Sequence, residues 1–209
     1  MTTFYFVRHG QTVANALGLK QGTINDDMTH LNSVGEAQAE HLHQQFNISF
    51  ADQIIISPLD RTRETALILN DTARLPLTTD KRLLEISYGS WDGQPNAQLE
   101  AEHPSVFDPL LHDVLPDYAQ LAHDGETFDH VNARVNDFMH DTAASHPTDN
   151  IIVVSHGFTI KAATLVATKS TEPMSIPEPD NTSVTKISFS EETMRYYLWY
   201  YNRFDDQTY

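Results

Sequence analysis

Arg8, His9 and Gly10 follow directly on the run Phe4-Tyr5-Phe6-Val7. The guanidinium of Arg8 can hold an anion through two parallel N–H groups. His9 is neutral for much of the time near pH 7, which leaves one ring nitrogen free to attack an electrophile. Gly10 has no Cβ, so a backbone N–H there can come close to a ligand. The pattern recurs twice. Gln53-Ile54-Ile55-Ile56 leads into Ser57-Pro58-Leu59-Asp60-Arg61, and Ile151-Ile152-Val153-Val154 leads into Ser155-His156-Gly157. Two arginines, two histidines and a helix N-terminus, once converged, make a site for a phosphate group. Chemistry on such a group needs mainly positioning and charge stabilisation.

Convergence requires that the three apolar runs be parallel neighbours. Each reads as a buried strand, short and rich in β-branched or aromatic residues. Helical spacing separates them, over Leu31–Phe46, Arg61–Asn70, Phe128–Ser145 and Phe158–Ala167. Asn32 or Ser33 can cap the first, and Ala37, Leu42 and Phe46 can form its buried stripe. Val13–His30 reads as loop with at most a short helix, and a short extended piece lies around Leu77. Ser183–Phe189 and Arg195–Tyr201 read as a terminal hairpin turning at Glu191-Glu192. Strand and helix alternate, which predicts an α/β fold: a three-layer α/β/α sandwich whose central sheet is mainly parallel and mixed at the hairpin. Parallel strands deliver their carboxyl ends to one edge, where α/β proteins bind ligands. One domain over 1–209 is expected. The stretch at about 86–127 carries Pro95, Pro104, Pro109 and Pro116 and is an irregular insertion suited to a lid or pocket wall.

The chain has 209 residues, 13 Lys and Arg against 29 Asp and Glu, and a net charge of −16. That balance argues against non-specific binding of nucleic acid or anionic membranes. It also makes a local cationic pocket informative. With no cysteine, disulfides and thiolate metal sites are excluded. No signal peptide or membrane-length apolar run is visible, so a cytoplasmic protein with a small phosphorylated substrate is expected.

Four segments together resemble one family. They are Arg8-His9-Gly10-Gln11-Thr12; Arg61 within Ser57-Pro58-Leu59-Asp60-Arg61-Thr62-Arg63-Glu64-Thr65-Ala66; Glu85 within Leu84-Glu85-Ile86-Ser87-Tyr88-Gly89-Ser90-Trp91-Asp92-Gly93; and Ser155-His156-Gly157. In this order they resemble the histidine phosphatase superfamily, in its phosphoglycerate mutase-like branch. Weaker echoes are Asn15, Gln21-Gly22, Leu31 with Gly35, and Asn181. The resemblance implies that His9 is a nucleophile forming a phosphohistidine. It implies that Arg8, Arg61 and His156 hold the phosphoryl oxygens, and that Glu85 protonates the leaving oxygen. It further implies that Asn15, Gln21, Gly22 and the Gly157 N–H line the pocket, and that neither metal nor cofactor is required.

Two activities share that core. A mutase must hold a small, highly anionic substrate, and relatives of that kind bring basic residues from the insertion. Here no Lys or Arg lies between Arg82 and Arg134, whereas Asp92, Glu100, Glu102, Asp108, Asp113, Asp117, Asp124 and Glu126 do. Phe158 also stands where mutases carry a polar residue. Both features favour a phosphatase acting on an ester whose organic group is neutral, apolar or cationic, with Tyr88, Trp91, Phe107 and Tyr118 as apolar walls. A phosphoglycerate mutase-type phosphotransferase is the alternative, and a non-catalytic phosphate-binding module a weaker one. Singly, His156 could be a satisfied edge histidine, Arg61 could pair with Asp60 or Glu64, and Glu85 could be a surface carboxylate. Arg63 reads as a surface or supporting cation, and the other histidines as solvated or structural. The aromatic terminal hairpin offers an edge for a homodimer.

Overall fold

The structure is a computed structural model and describes residues 1–203; residues 204–209 of the expected domain lie outside the described residues. Six strands form one mixed sheet in the order β3-β2-β4-β1-β5-β6. They are β1 (Thr2–Arg8), β2 (Gln53–Ile56), β3 (Leu77–Thr79), β4 (Asn150–Ser155), β5 (Val184–Ser190) and β6 (Arg195–Arg203). β1, β2, β3 and β4 are mutually parallel, and β5 and β6 complete the sheet antiparallel. The helices are α1 (Val13–Ala16), α2 (Ser33–Gln45), α3 (Asp60–Leu69), α4 (Asn96–Glu102), α5 (Phe128–Ser145) and α6 (Gly157–Thr168). Among the described residues no helix is long and apolar enough to cross a membrane.

Period-two alternation along β1 builds both faces. Phe4 and Phe6 pack with Ile151, Val153 and the apolar sides of α5 and α6, together with buried residues of the 86–127 segment. Tyr5 and Val7 pack with Ile152, Val154, Ile54 and Ile56 beneath α2 and α3. A strand covered on both faces has no need of polar alternation, hence the continuous apolar runs.

Asn32 caps α2, its side chain accepting from the Gly35 N–H at 2.9 Å. The buried stripe of this helix is Gly35, Ala39 and Leu42, with Phe46 just beyond. Ala37, expected in the stripe, faces solvent, because the close approach of Gly35 to the chain after β1 sets the rotation of the helix. A Cβ on Gly35 would lie 2.0 Å from the Gln11 carbonyl oxygen, and one on Gly10 would lie 2.5 Å from the Gly35 oxygen. Gly35→Ala gains helix propensity of about 1 kcal/mol, yet it drives backbone against backbone. It is expected to cost about 1–3 kcal/mol net, read from urea denaturation. A variant as stable as the parent would show that this approach is not tight.

The 86–127 segment holds α4 and several single 3₁₀ turns. Trp91 stacks on His103 at 5.2 Å and on Phe107 at 6.1 Å. The Tyr118 hydroxyl donates to the Glu126 carbonyl oxygen at 2.6 Å. Trp91, Phe107 and Tyr118 are therefore core and not pocket walls: the segment buries its aromatics under itself.

Candidate active site

Register brings the three strand ends level, since Arg8 pairs with Ser155 and Ile56 with Val154. The turn after β1 is tied from every side. The His9 N–H donates to the Ser155 oxygen at 3.0 Å. The Gly10 N–H donates to Thr65 Oγ1 at 3.0 Å, and Asn181 Nδ2 donates to the His9 oxygen at 2.8 Å.

His9 Nδ1 lies 2.7 Å from the Gly10 carbonyl oxygen. A carbonyl only accepts, so Nδ1 carries the proton and Nε2 keeps its lone pair. Burial, then the charges of Arg61 and Arg8, hold the imidazole well below its ordinary pKa, against the Gly10 bond. The ring is thus neutral at pH 7. His156 stands beside it with ring centroids 5.3 Å apart. Its Nδ1 accepts from Arg61 Nε at 3.3 Å, so its Nε2 bears the proton and donates to Ser57 Oγ at 2.7 Å. Burial and the neighbouring Arg61 push His156 well below the ordinary histidine range too.

Arg61 opens α3 and is 1% exposed. Nη2 donates to the Gly22 oxygen at 2.8 Å and Nη1 to the Ile24 oxygen at 3.0 Å. Desolvation lowers its pKa to about 10, with Glu85 opposing, so it remains a cation at neutral pH. It does not pair with Asp60 or Glu64: Asp60 accepts from Asn25, and Glu64 holds His30 and the Leu31 N–H. Arg63 is exposed. Arg8 donates from Nη1 to the Pro179 oxygen, while its buried Nε has no hydrogen-bond partner among the described residues. An orphan guanidinium N–H at a cavity wall is what an anion site provides.

Glu85 is 8% exposed. Its carboxylate accepts from the Phe158 and Thr159 N–H groups at 3.3 and 3.2 Å, in the first turn of α6, and from the Thr159 hydroxyl. These bonds tie it to the N-terminus of α6, where a negative charge is favoured.

A cavity of about 360 Å³ joins Arg8, His9, Asn15, Gln21, Gly22, Arg61 and Glu85. Gly22 adopts φ +50°, with Asp92 so close that a Cβ would lie 1.7 Å from Oδ1. His156 and Gly157 lie behind this wall: His156 grips Arg61, and Gly157 sits against Arg8 and Glu178. Lys20, Asp113 and Glu178, not foreseen from the sequence, also line the cavity. Lys20 had a weak signal, as the lone cation between Arg8 and Arg61 and next to Gln21-Gly22. Asp113 was hidden among other acids and Glu178 in a proline-rich link. Among the described residues no cluster of three or more His, Cys, Asp or Glu side chains could hold a metal ion.

Residues 4–202 match the model of the histidine phosphatase superfamily (branch 1). The chain belongs to the histidine phosphatase superfamily. A protein of Hydrogenobacter thermophilus designated a candidate phosphoserine phosphatase is 31% identical over 198 residues, 92% of each chain. A metal-independent phosphoserine phosphatase of Arabidopsis thaliana is 31% identical over 81% of this chain and 70% of its own. The solved mycobacterial glucosyl-3-phosphoglycerate phosphatase with VO3 superposes with a TM-score of 0.80 at 26% identity, covering 96% of this chain and 98% of its own. The mixed sheet with helices on both faces is the fold of this superfamily, and phosphatase is the activity that the names of these three relatives give.

Proposed function

We propose that the protein hydrolyses phosphomonoesters without a metal, through a phosphohistidine on His9 Nε2. The observation that carries this is the tautomer: the Gly10 carbonyl accepts from Nδ1–H and leaves a lone pair on Nε2, in a ring that feels the charges of Arg61 and Arg8. Nε2 attacks phosphorus, the ester P–O bond breaks, and the Glu85 carboxyl gives its proton to the leaving oxygen. Water, deprotonated by the same carboxylate, then attacks phosphorus; the P–N bond breaks and inorganic phosphate leaves. Arg8 and Arg61 hold the phosphoryl oxygens, as charge-assisted donors do. Asn15, Gln21 and Gly22 shape the wall. His156 fixes Arg61 and the edge of His9 from behind the wall.

The lack of any Lys or Arg from Leu83 to Ala133 supports hydrolysis over mutase transfer. Inorganic phosphate release from p-nitrophenyl phosphate in excess EDTA tests the reading. Turnover should survive chelation and pass through an acid-labile, base-stable phosphoprotein. Loss of turnover in EDTA, restored by a divalent cation, would overturn the metal-independent route. We also propose a homodimer across the exposed edge strand β6, where Trp199 is 58% exposed; light scattering decides it, a monomer at micromolar concentration being the adverse result.

A further inference from the structure

The cavity holds more charge than phosphoryl transfer requires. Beyond Arg8, His9, Arg61 and Glu85, its wall carries Lys20, Asp113 and Glu178. Lys20 Nζ meets Asp113 Oδ1 at 2.6 Å and stands 4.6 Å above the Tyr88 ring. A buried ion pair is weak evidence for stability, since apolar residues of similar volume often serve as well. Its place in the wall of a binding cavity suits recognition better.

Glu178 has no comparable partner. The nearest cation is Arg8, whose Nη2 is 3.7 Å away, and that guanidinium spends Nη1 on the Pro179 oxygen. Among the described residues the Glu178 carboxylate accepts no hydrogen bond, and it faces the cavity. Its Oε2 lies 2.0 Å from the point that a Cβ on Gly157 would occupy. The glycine therefore makes room for this carboxylate and for the Arg8 guanidinium beside it. Lys161 lies in the same region but is fully buried, with Nζ 5.6 Å from the Phe158 ring centroid, and it does not line the cavity.

We propose that Glu178, with the Lys20-held Asp113 beside it, is the specificity site for an ammonium group on the alcohol half of the substrate. The class is phosphomonoesters of 2-amino alcohols. This rests on the phosphatase reading and narrows it. An anionic organic group would meet two carboxylates and a lysine that is already paired. A neutral one could donate a hydrogen bond to Glu178 but would bring no charge to balance it. A cation supplies what Glu178 lacks, and because Glu178 lies 3.7 Å from Arg8, which holds the phosphoryl group in this reading, a short amino alcohol suits the gap between the two. Desolvation, then the charge of Asp113, push the Glu178 carboxyl up to about 7, against Arg8 and Lys20; Glu85 adds to the rise. A bound ammonium would reverse that direction.

The test uses two matched pairs in which hydroxyl replaces ammonium: O-phosphoserine against 3-phosphoglycerate, and O-phosphoethanolamine against 2-hydroxyethyl phosphate. In each pair kcat/KM is expected to favour the ammonium ester at least tenfold, mainly through KM. Taken per phosphate dianion, since the ammonium itself lowers the phosphate pKa, the ratio should rise from pH 6 to pH 8 as Glu178 ionises. Glu178→Gln should bring it below threefold and Asp113→Asn part of the way. A wild-type ratio near one in both pairs, or one unmoved by Glu178→Gln, would overturn the subsite while p-nitrophenyl phosphate turnover left the phosphatase reading standing. If that turnover also fails, the phosphatase reading falls instead. Calorimetric affinities of the same pairs for the wild-type protein then decide the subsite by the same ratio.

Discussion

His9→Ala is expected to remove turnover by at least ~10³-fold, the scale on which loss of a nucleophile acts. His9 Nε2 keeps a lone pair in a ring that feels the charges of Arg61 and Arg8 at the cavity wall. The substitution leaves Arg8 and Arg61 in place, so affinity for inorganic phosphate or vanadate should persist. The fold should persist too, because the His9 backbone, and not its ring, carries the bonds to Ser155 and Asn181. Phosphate release, phosphoenzyme trapping and anion affinity by calorimetry check the three parts. Turnover within tenfold of wild type would mean that another atom attacks.

The pH profile carries the same assignment. Catalysis needs neutral His9, and burial with two guanidinium neighbours holds its pKa well below the ordinary value of 6.5. The attacking form therefore persists as pH falls through 6.5, and is lost only when pH passes the lowered value. An acid limb with its midpoint at or above 6.5 would contradict the environment described.

Arg61→Met is expected to lower kcat/KM by about 10²–10³, the size found when one preorganised oxyanion donor is lost. Methionine keeps the bulk in a 1%-exposed site but releases three partners together. The Gly22 and Ile24 carbonyls lose their donor, which frees the loop that supplies Gln21 and Gly22 to the cavity wall. His156 loses the N–H on Nδ1. Arg61→Lys should rescue poorly, because an ammonium cannot span these directions as a planar fork does. A second reading separates catalysis from simple loosening. Removing the Arg61 charge should raise the His9 pKa toward its ordinary value and shift the acid limb of the pH–rate profile upward. A loss of rate with an unmoved acid limb would mean that Arg61 serves structure alone.

The strand ends and their chemistry were legible in the sequence because each is a local event. Phe4 to Val7 is apolar on both faces, and Arg8-His9-Gly10 breaks that pattern at once. Ile54 to Ile56 and Ile151 to Val154 behave alike, so the sheet, the helices between the strands and the edge that gathers two arginines and two histidines all follow from composition and order. Asn32 could be chosen as a cap from its type. Other features depended on packing between distant segments. Ala37 faces solvent since Gly35 meets Gln11, a contact set by how the turn after β1 sits on α2. Trp91, Phe107 and Tyr118 are core since the 86–127 segment folds over its own aromatics, which spacing in an irregular stretch cannot encode. The tautomers of His9 and His156 were fixed by a backbone carbonyl and by a guanidinium 95 residues away in the chain. Lys20, Asp113 and Glu178 come from three loops without periodicity, and only the closed fold sets a lysine on one carboxylate and leaves the other facing the cavity. Local hydrogen bonding and apolar burial write themselves along the chain. Charge balance in a cavity is a property of which loops meet there, and tertiary structure alone decides that.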